Sequence, residues 1–438
     1  MQLKFLLRSL WHYRRSQLGV LAGTVVGATV LLGALFAGDS VSSALKRLAS
    51  LRVGQAEYVL TAGDRFVTQG LAHRIESNLE VDAAPVLMLR GSAARSELKL
   101  LAPQVQTLGV DEGFWGFAPS GAESLEMQAG SVAVNRRLAE RLELGVGDFF
   151  VFRIEKPGLL SRDAPMSGSK DNVVGIRAKV ASVVGDDQFG RFSLQANQIA
   201  PFTIFAPIEW IQEQIEYPDR ANIVLLKAKP DRATPISSAE LTEALGPLME
   251  LEDYGLSLID VPLAGATEIR SERVFIDDFV ARIVRQQFPQ AEPVVTYLSN
   301  TLRSGNRGTP YSMVTGLKGV GVPFVGGDLK SDETVINQWL ADDLSASVGD
   351  ELQIDYYVVD EANELVEESR AFTIRSIVPM EGLAADPLWM PDFPGVSDAD
   401  DSADWEPGMP LDLDRIRDQD EDYWDDYRGT PKAFIALE

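Results

Sequence analysis

The strongest pattern along the chain is an uninterrupted apolar run near its beginning. Residues 16 to 38 include no charged side chain over 23 positions, and at about 1.5 Å of helix per residue their apolar part reaches roughly the 30 Å of a bilayer core. We therefore predict a membrane helix at 17–38. It follows a basic segment at 1–16 and leads into an amphipathic helical stalk at 39–54.

The charges that flank this run predict its direction across the membrane. Four basic residues precede it, namely Lys4, Arg8, Arg14 and Arg15, whereas Asp39 follows it. Basic flanks remain cytoplasmic, so we expect the N-terminus in the cytoplasm and everything from Asp39 onward outside. A cleaved signal peptide is the alternative. The run is longer than a usual signal core. For cleavage after Ala37, Leu35 stands at the third position before the cut, where a small residue is required.

Three glycines are spaced four residues apart inside the run. Gly19, Gly23 and Gly27 would share one smooth helix face, against which another membrane helix could pack closely. The alternative interpretation is that a membrane helix simply tolerates them.

A second pattern occurs twice in the same register, without a gap. The stretches are SVAVNRRLAERLELGVGDFF at 131–150 and ETVINQWLADDLSASVGDEL at 333–352. The first contributes Asn135, Leu138, Gly147 and Asp148, and the second contributes Asn337, Leu340, Gly349 and Asp350. An Asn can accept hydrogen bonds from the free N–H groups of a helix start, and leucines four residues apart make one apolar stripe. We predict a strand, a capped helix of about ten residues that the Gly ends, a tight turn and a further strand.

The similarity between the two halves is longer than this signature. Residues 65–75 align with 273–283, and 84–89 align with 292–297, at nearly the same distance from the later stretches. Three matched segments in one order indicate a duplicated unit. We therefore predict an α+β fold with two tandem mixed α/β extracytoplasmic units. The first spans 55–230, a connector spans 231–256, and the second spans 257–438 and includes an acidic segment at 398–426.

The charge of the chain argues against a nucleic-acid partner. The formal net charge is −25, whereas binding to a phosphate backbone requires clustered Lys and Arg. The acidic segment holds thirteen Asp or Glu residues against Arg415 and Arg417, a composition typical of a solvated and loosely structured face. Its DADDSAD stretch could attract calcium, but the Gly and the closing Glu of an EF-hand are not at the required spacing. We predict no metal site.

Catalytic motifs are missing from the sequence. It contains no G-x-x-x-x-G-K-[ST] loop for ATP and no Cys, and its two histidines, His12 and His73, have no motif around them. Asp148 and Asp350 each follow a turn Gly in their own repeat, so we assign them to turns and not to a catalytic pair. The sequence therefore predicts a protein that is not an enzyme and carries no cofactor.

These features together resemble a known family. The opening LLRSLWHYRRSQL, the Gly-rich span and GDSVSSALKR look like the start of FtsX-like permeases of the MacB and LolC/LolE type, and the repeated N..LA..L...VGD resembles their periplasmic core domain. The resemblance implies a dimeric ABC transporter permease in the lipid of the cell (inner) membrane, with a large periplasmic or extracytoplasmic domain and a separate ABC ATPase subunit in the cytoplasm. It would couple ATP hydrolysis to export or extraction of a lipid, lipoprotein, peptide or drug.

Two other functions remain alternatives. The chain could be a membrane-anchored binding or adaptor protein without a transport cycle, or, fitting least well, a membrane-anchored hydrolase. Permeases of this type have at least three further spans, and this sequence has no second apolar run of 18 residues. We therefore expect the natural gene to continue beyond Glu438.

Overall fold

The structure of the protein is a computed structural model. It describes residues 11–63, 65–119, 125–156, 173–195, 199–230, 236–272, 276–318, 322–360, 365–391, 393, 396–397, 399–402, 405 and 411–437. Most of the predicted basic segment at 1–16 lies outside the described residues, as do 398, 403–404 and 406–410 of the acidic segment.

The elements alternate between helices and strands along the chain. The helices are α1 (Arg14–Val53), α2 (Gln69–Asn78), α3 (Glu112–Trp115), α4 (Arg136–Leu142), α5 (Ile208–Gln214), α6 (Ser238–Leu248), α7 (Asp278–Gln287), α8 (Gln338–Leu344) and α9 (Asp418–Tyr427). The strands of the first half are β1 (Tyr58–Thr61), β2 (Val67–Thr68), β3 (Val81–Arg95), β4 (Leu100–Val110), β5 (Ser131–Asn135), β6 (Phe149–Glu155), β7 (Val173–Val184), β8 (Phe202–Pro207), β9 (Arg220–Ala221) and β10 (Ile223–Ala228). The others are β11 (Leu256–Val261), β12 (Ala266–Ser271), β13 (Val295–Ser304), β14 (Arg307–Leu317), β15 (Glu333–Asn337), β16 (Glu351–Val359), β17 (Leu365–Val378) and β18 (Ala433–Ala436).

The predicted fold class is confirmed. Within the part of the chain that the structure describes, α1 is the one helix that is long and apolar enough to cross a membrane. It runs for 40 residues without a break, so the apolar run and the amphipathic stalk form one continuous helix. A mixture of strands and shorter helices follows it.

Contacts divide the chain into two compact units. The first comprises Met1–Thr61, Ala72–Ile154 and Gly175–Ala244, and the second comprises Ala62–Leu71, Glu155–Val174 and Leu245–Glu438. In the first unit the strand order is β1-β10-β3-β4-β8-β5-β7-β6, and β6 also pairs with β3, so six of the strands close on themselves. In the second unit β13-β14-β18-β15-β17-β16 form a closed barrel.

The two closed sets of strands have the same connectivity. β4 runs parallel to β8 as β14 runs parallel to β18, and β5 pairs with β7 and β8 as β15 pairs with β17 and β18, with the same parallel and antiparallel senses. Even an irregularity recurs, because the register shifts between Val132 and Ala133 in one unit and between Thr334 and Val335 in the other. These two pairs differ by the same offset as the two sequence signatures.

One expectation about the acidic segment is wrong. Part of it is not a loosely structured face, because 418–427 form helix α9 and bury Asp420, Tyr423 and Trp424. Trp424 belongs to an apolar cluster with Leu298, Met313 and Met390. The expectation considered only the charges of this segment and not its aromatic residues. Burial of Tyr423 and Trp424 offsets the cost of ordering a strongly acidic helix.

Candidate functional site

The end of α1 is fixed directly to the first unit. Gly54 follows the last helical residue, with a positive φ of 62°, and donates its N–H to the Ser50 carbonyl at 2.8 Å. A Cβ at this position would lie 2.0 Å from the Phe117 carbonyl oxygen and 2.6 Å from a ring carbon of Phe189. Both the backbone conformation and the close approach therefore require glycine.

Hydrogen bonds hold the chain on both sides of Gly54. Gln55 donates its backbone N–H to the Phe117 carbonyl at 2.8 Å and its side-chain amide to the Ala118 carbonyl at 3.1 Å. On the helical side, the Arg52 guanidinium donates to the carbonyls of Ser193 and Gln195. The membrane helix thus enters the first unit through a bonded joint, which we call the α1 joint (residues 52–55).

An aromatic cluster lies beneath the α1 joint. Its fully buried members are Phe114, Trp115, Phe117, Phe189, Phe192 and Phe205. The Phe114 ring is the centre of this cluster, with ring centroids at 4.8 Å from Phe189, 5.3 Å from Trp115 and 5.5 Å from Phe192. Large, closely packed aromatic rings resist deformation, so the α1 joint contacts a rigid part of the first unit.

The sequence pattern does not predict this site. The pattern indicates the helical stalk but not the residues that contact its end. A local signal exists, since the segments DEGFWGF at 111–117 and DDQFGRF at 186–192 concentrate aromatic residues around glycines. Nothing in the pattern says that segments so far apart in sequence meet at the end of α1.

The three membrane-helix glycines lie in α1, as their positions require. Nothing comes within 4 Å of a Cβ built on Gly19, Gly23 or Gly27. Their spacing of four residues places them along one side of the helix. The structure thus leaves this face open, and their role in helix packing remains a prediction.

The repeated Asn residues occupy the same position in both units. Asn135 and Asn337 each precede a helix with extended φ and ψ, and their side chains accept from the N–H of Leu138 at 3.0 Å and Leu340 at 2.8 Å. Both amides also donate to the carbonyl of a proline that lies just before a neighbouring strand, to Pro201 before β8 at 2.8 Å and to Pro431 before β18 at 3.3 Å. Asn135, Leu138, Asn337 and Leu340 are all buried. Each Asn therefore ties a helix start to a neighbouring strand.

The helices are shorter than the ten residues predicted. Both run for seven residues and end at a left-handed residue that is not glycine, Glu143 with φ 52° and Ser345 with φ 51°. Gly147 and Gly349 also have positive φ, 96° and 95°, but they lie in the turn that follows. A residue other than glycine can adopt a single left-handed conformation at modest cost, as Glu143 and Ser345 do at the helix ends. Gly147 and Gly349 instead provide the positive φ of the turn that follows.

The aspartates after these glycines close the turn. Asp148 accepts from the N–H of Gly145 at 2.9 Å, and Asp350 accepts from the N–H of Ser347 at 2.8 Å. The N–H of Gly147 donates to the Val180 carbonyl, and the N–H of Gly349 donates to the Ile374 carbonyl, both at 2.8 Å. This geometry is that of a local turn, and the two carboxylates belong to different units.

A partly buried ionic cluster occurs in the second unit. The Arg417 guanidinium donates to Asp343 at 2.8 Å and to Asp420 at 2.7 Å, and the Lys432 ammonium lies 3.6 Å from Asp420. These residues come from α8, the start of α9 and the residue before β18. The cluster therefore fastens the acidic helix α9 to the barrel.

Burial shifts the pKa values in this cluster. Burial lowers the pKa of Lys432 to about 8, although the negative charges of Asp420 and Asp343 partly oppose it. Burial would raise the pKa of Asp343, but hydrogen bonds from Arg417 and Thr309 outweigh it, so that pKa lies below its ordinary value. A lysine that sheds its proton near pH 8 is a consequence of packing here, because its side chain is closed off from solvent.

Three carboxylates come close together beside this cluster. Asp401, from the DADDSAD stretch, and Glu421 and Asp425, from α9, each place one oxygen within 4.8 Å of the others. Two of the three are exposed, and Glu421 already accepts hydrogen bonds from Ser402. Such a group could attract a divalent cation weakly.

Comparisons with known proteins found related solved structures. No family model matches the chain, and no curated protein matches it. The periplasmic region of MacB from Actinobacillus actinomycetemcomitans is 10% identical, with a TM-score of 0.28, over 51% of this chain and 84% of that one. The extracellular domain of the noncanonic ABC-type transporter YknZ from Gram-positive bacteria is 10% identical, with a TM-score of 0.27, over 50% and 97%. A domain of a candidate permease protein from Porphyromonas gingivalis is 16% identical, with a TM-score of 0.27, over 50% and 86%.

Proposed function

We propose that the chain forms the first membrane span and the extracytoplasmic part of an ABC transporter permease. Its role would be mechanical and not catalytic. Hydrolysis would belong to a separate cytoplasmic ABC ATPase, since the sequence has no phosphate-binding loop. Two permease subunits would work together, with α1 in the lipid of the inner membrane and the residues from Asp39 onward on the extracytoplasmic side.

The observation that carries this proposal is the α1 joint. A tethering anchor needs no fixed geometry, and a flexible linker would serve it. Here the 40-residue helix enters the first unit through Gly54, with hydrogen bonds on both sides and a buried aromatic cluster beneath. A rotation or tilt of α1 would therefore reach the first unit instead of being absorbed by a linker.

The proposed cycle follows from this connection. Closure of the ATPase subunits would move the membrane helices, and α1 would carry that motion into the first unit. The extracytoplasmic units would then grip or release a lipid, lipoprotein, peptide or drug. A change in conformation requires that nucleotide favours one state of the membrane helices over another.

The test is to loosen the α1 joint in the protein, reconstituted with its ATPase in nanodiscs. A Gly-Ser-Gly-Ser insertion between Val53 and Gly54 would be compared with the same insertion at Gly305, in the open turn between β13 and β14. A fluorophore on Glu97→Cys, in the first unit, reports motion, because the chain has no other cysteine.

We expect ATP to change the fluorescence of the parent and of the Gly305 insertion, but not of the joint insertion. ATPase copurification should be the same for all three. If the joint insertion keeps its full nucleotide response, the mechanical proposal is wrong. If no ATPase copurifies with the parent, the chain is better described as a membrane-anchored binding or adaptor protein.

A further inference from the structure

Helix α7 carries an apolar face that its own unit leaves uncovered. None of its described side chains is buried. Phe279 is 66% exposed and Ile283 is 41% exposed, and they lie one helical turn apart on the same side of the helix. We call these two residues the α7 face. Ile276 and Phe288, just outside the two ends of α7, are exposed as well. Exposed large apolar side chains that lie together on a helix indicate a surface that binds something.

The aligned helix of the first half, α2, buries the corresponding residues. The alignment of segments 65–75 and 273–283 matches Leu71 of α2 to Phe279, and Ile75 to Ile283. Leu71 and Ile75 are both 0% exposed. The aligned residues are therefore buried in one half of the chain and exposed in the other.

The charges on α7 are self-complementary. Asp278 lies in the first turn and Arg285 in the last turn. If two copies of α7 packed side by side in opposite directions, the first turn of each would lie beside the last turn of the other. Such pairing also aligns the two helix dipoles favourably. A two-fold axis gives this arrangement, in which each contact occurs twice.

The segment also differs in charge from the rest of the chain. Residues 276–288 contain two Asp and two Arg and are neutral, whereas the whole chain carries −25. Two copies of a strongly acidic chain repel one another, so a neutral apolar surface is where they can approach most closely. An anionic membrane surface would instead favour an excess of basic residues, which this helix lacks.

We propose that the α7 face binds the α7 face of a second copy of the chain, in antiparallel orientation about a two-fold axis. This inference deepens the proposed function, because it places a contact between the two permease subunits in the second extracytoplasmic unit. It does not depend on the α1 joint, and its test uses no nucleotide.

The test is charge exchange on the full chain in detergent, with self-association measured by sedimentation. Asp278→Arg and Arg285→Asp should each weaken the dimer roughly tenfold, since each exposed ion pair is lost twice across the axis. The double variant should restore association, because the pairs are rebuilt with reversed sign. If the single variants match the parent, or if the double variant is weaker than either single variant, the proposal is wrong.

Two further variants address the apolar contact and the membrane alternative. Phe279→Asp should abolish the dimer, whereas Leu258→Asp, at an equally exposed position on β11, should leave it intact. The circular dichroism spectra of both variants should match the parent. If Asp278→Arg increases binding to vesicles of anionic lipid and does not affect association, the α7 face binds a bilayer and the second-copy proposal fails. Failure here would leave the nucleotide response of the α1 joint unaffected.

Discussion

The Nζ atom of Lys432 lies 4.0 Å from the centre of the Trp339 ring. In the first unit, the Arg137 guanidinium lies 4.4 Å from the centre of the Phe202 ring. Trp339 and Arg137 occupy the same position, two residues after the capping Asn. A contact between the capped helix and the neighbouring strand, β8 or β18, therefore occurs in both units, but the cation lies on the helix in the first unit and beside the strand in the second. Each arrangement gains from the attraction between a cation and an aromatic face.

Raising the pH should stabilise the second unit through Lys432. Burial lowers its pKa from 10.5 to about 8 in the folded chain. Between these values the unfolded chain binds more protons than the folded chain, so the free energy of unfolding rises with pH. From pH 8 to pH 10 we expect a gain of about 2 kcal/mol, measured by urea unfolding with Trp fluorescence as the signal.

Two lysine variants separate this effect from other titrations. Lys432→Met should remove the rise between pH 8 and pH 10. Lys330→Met, which alters an exposed lysine of the same unit, should keep it. A rise that persists in Lys432→Met would mean that another group causes it.

Removing the repeated Asn should cost more than a helix cap alone. Asn135 accepts from the N–H groups of Leu138 and Thr203 and donates to the carbonyls of Gly190 and Pro201. Because Asn135→Ala would leave several buried backbone groups without a partner, we expect a loss of about 3 kcal/mol in urea unfolding, against about 1 kcal/mol for a simple cap. Arg136→Ala, at the next and exposed position, is the control. A loss near 1 kcal/mol would show that these backbone groups find other partners.

The order of the elements was predictable from the sequence, but the contacts between elements far apart in the sequence were not. The Asn, Leu and Gly-Asp positions specify local conformation, so the pattern predicted the strand, helix and turn around Asn135. The helix length was wrong because Glu143 adopts a left-handed conformation that sequence pattern assigns to glycine. Burial of Trp424 depends on residues more than a hundred positions away, such as Leu298, and no local pattern carries that information. The same is true of the aromatic cluster beneath the α1 joint.

The direction of α1 across the membrane can be tested because the chain has no cysteine. A cysteine at Glu97, which is exposed in the first unit, should react with a membrane-impermeant maleimide on intact spheroplasts. A cysteine at Trp11, on the N-terminal side of the apolar run, should react after the membrane is permeabilised. The opposite pattern would show that the basic flank does not determine the orientation.

Gly54→Ala should loosen the α1 joint without unfolding the first unit. Two effects oppose the added methyl group, namely the positive φ of 62° and the approach to the Phe117 carbonyl oxygen, where a Cβ would lie 2.0 Å away. Gly63→Ala separates them, since Gly63 has a similar φ of 66° but nothing within 4 Å of a built Cβ. The conformational cost alone is about 1 kcal/mol, so Gly63→Ala should be mild and Gly54→Ala clearly worse. Limited proteolysis should then cut Gly54→Ala at Arg52 well before the parent or Gly63→Ala, while hydrogen exchange in β3 and β4 stays slow. If Gly54→Ala is cut no faster than Gly63→Ala, contact with the aromatic cluster does not set the strength of the α1 joint.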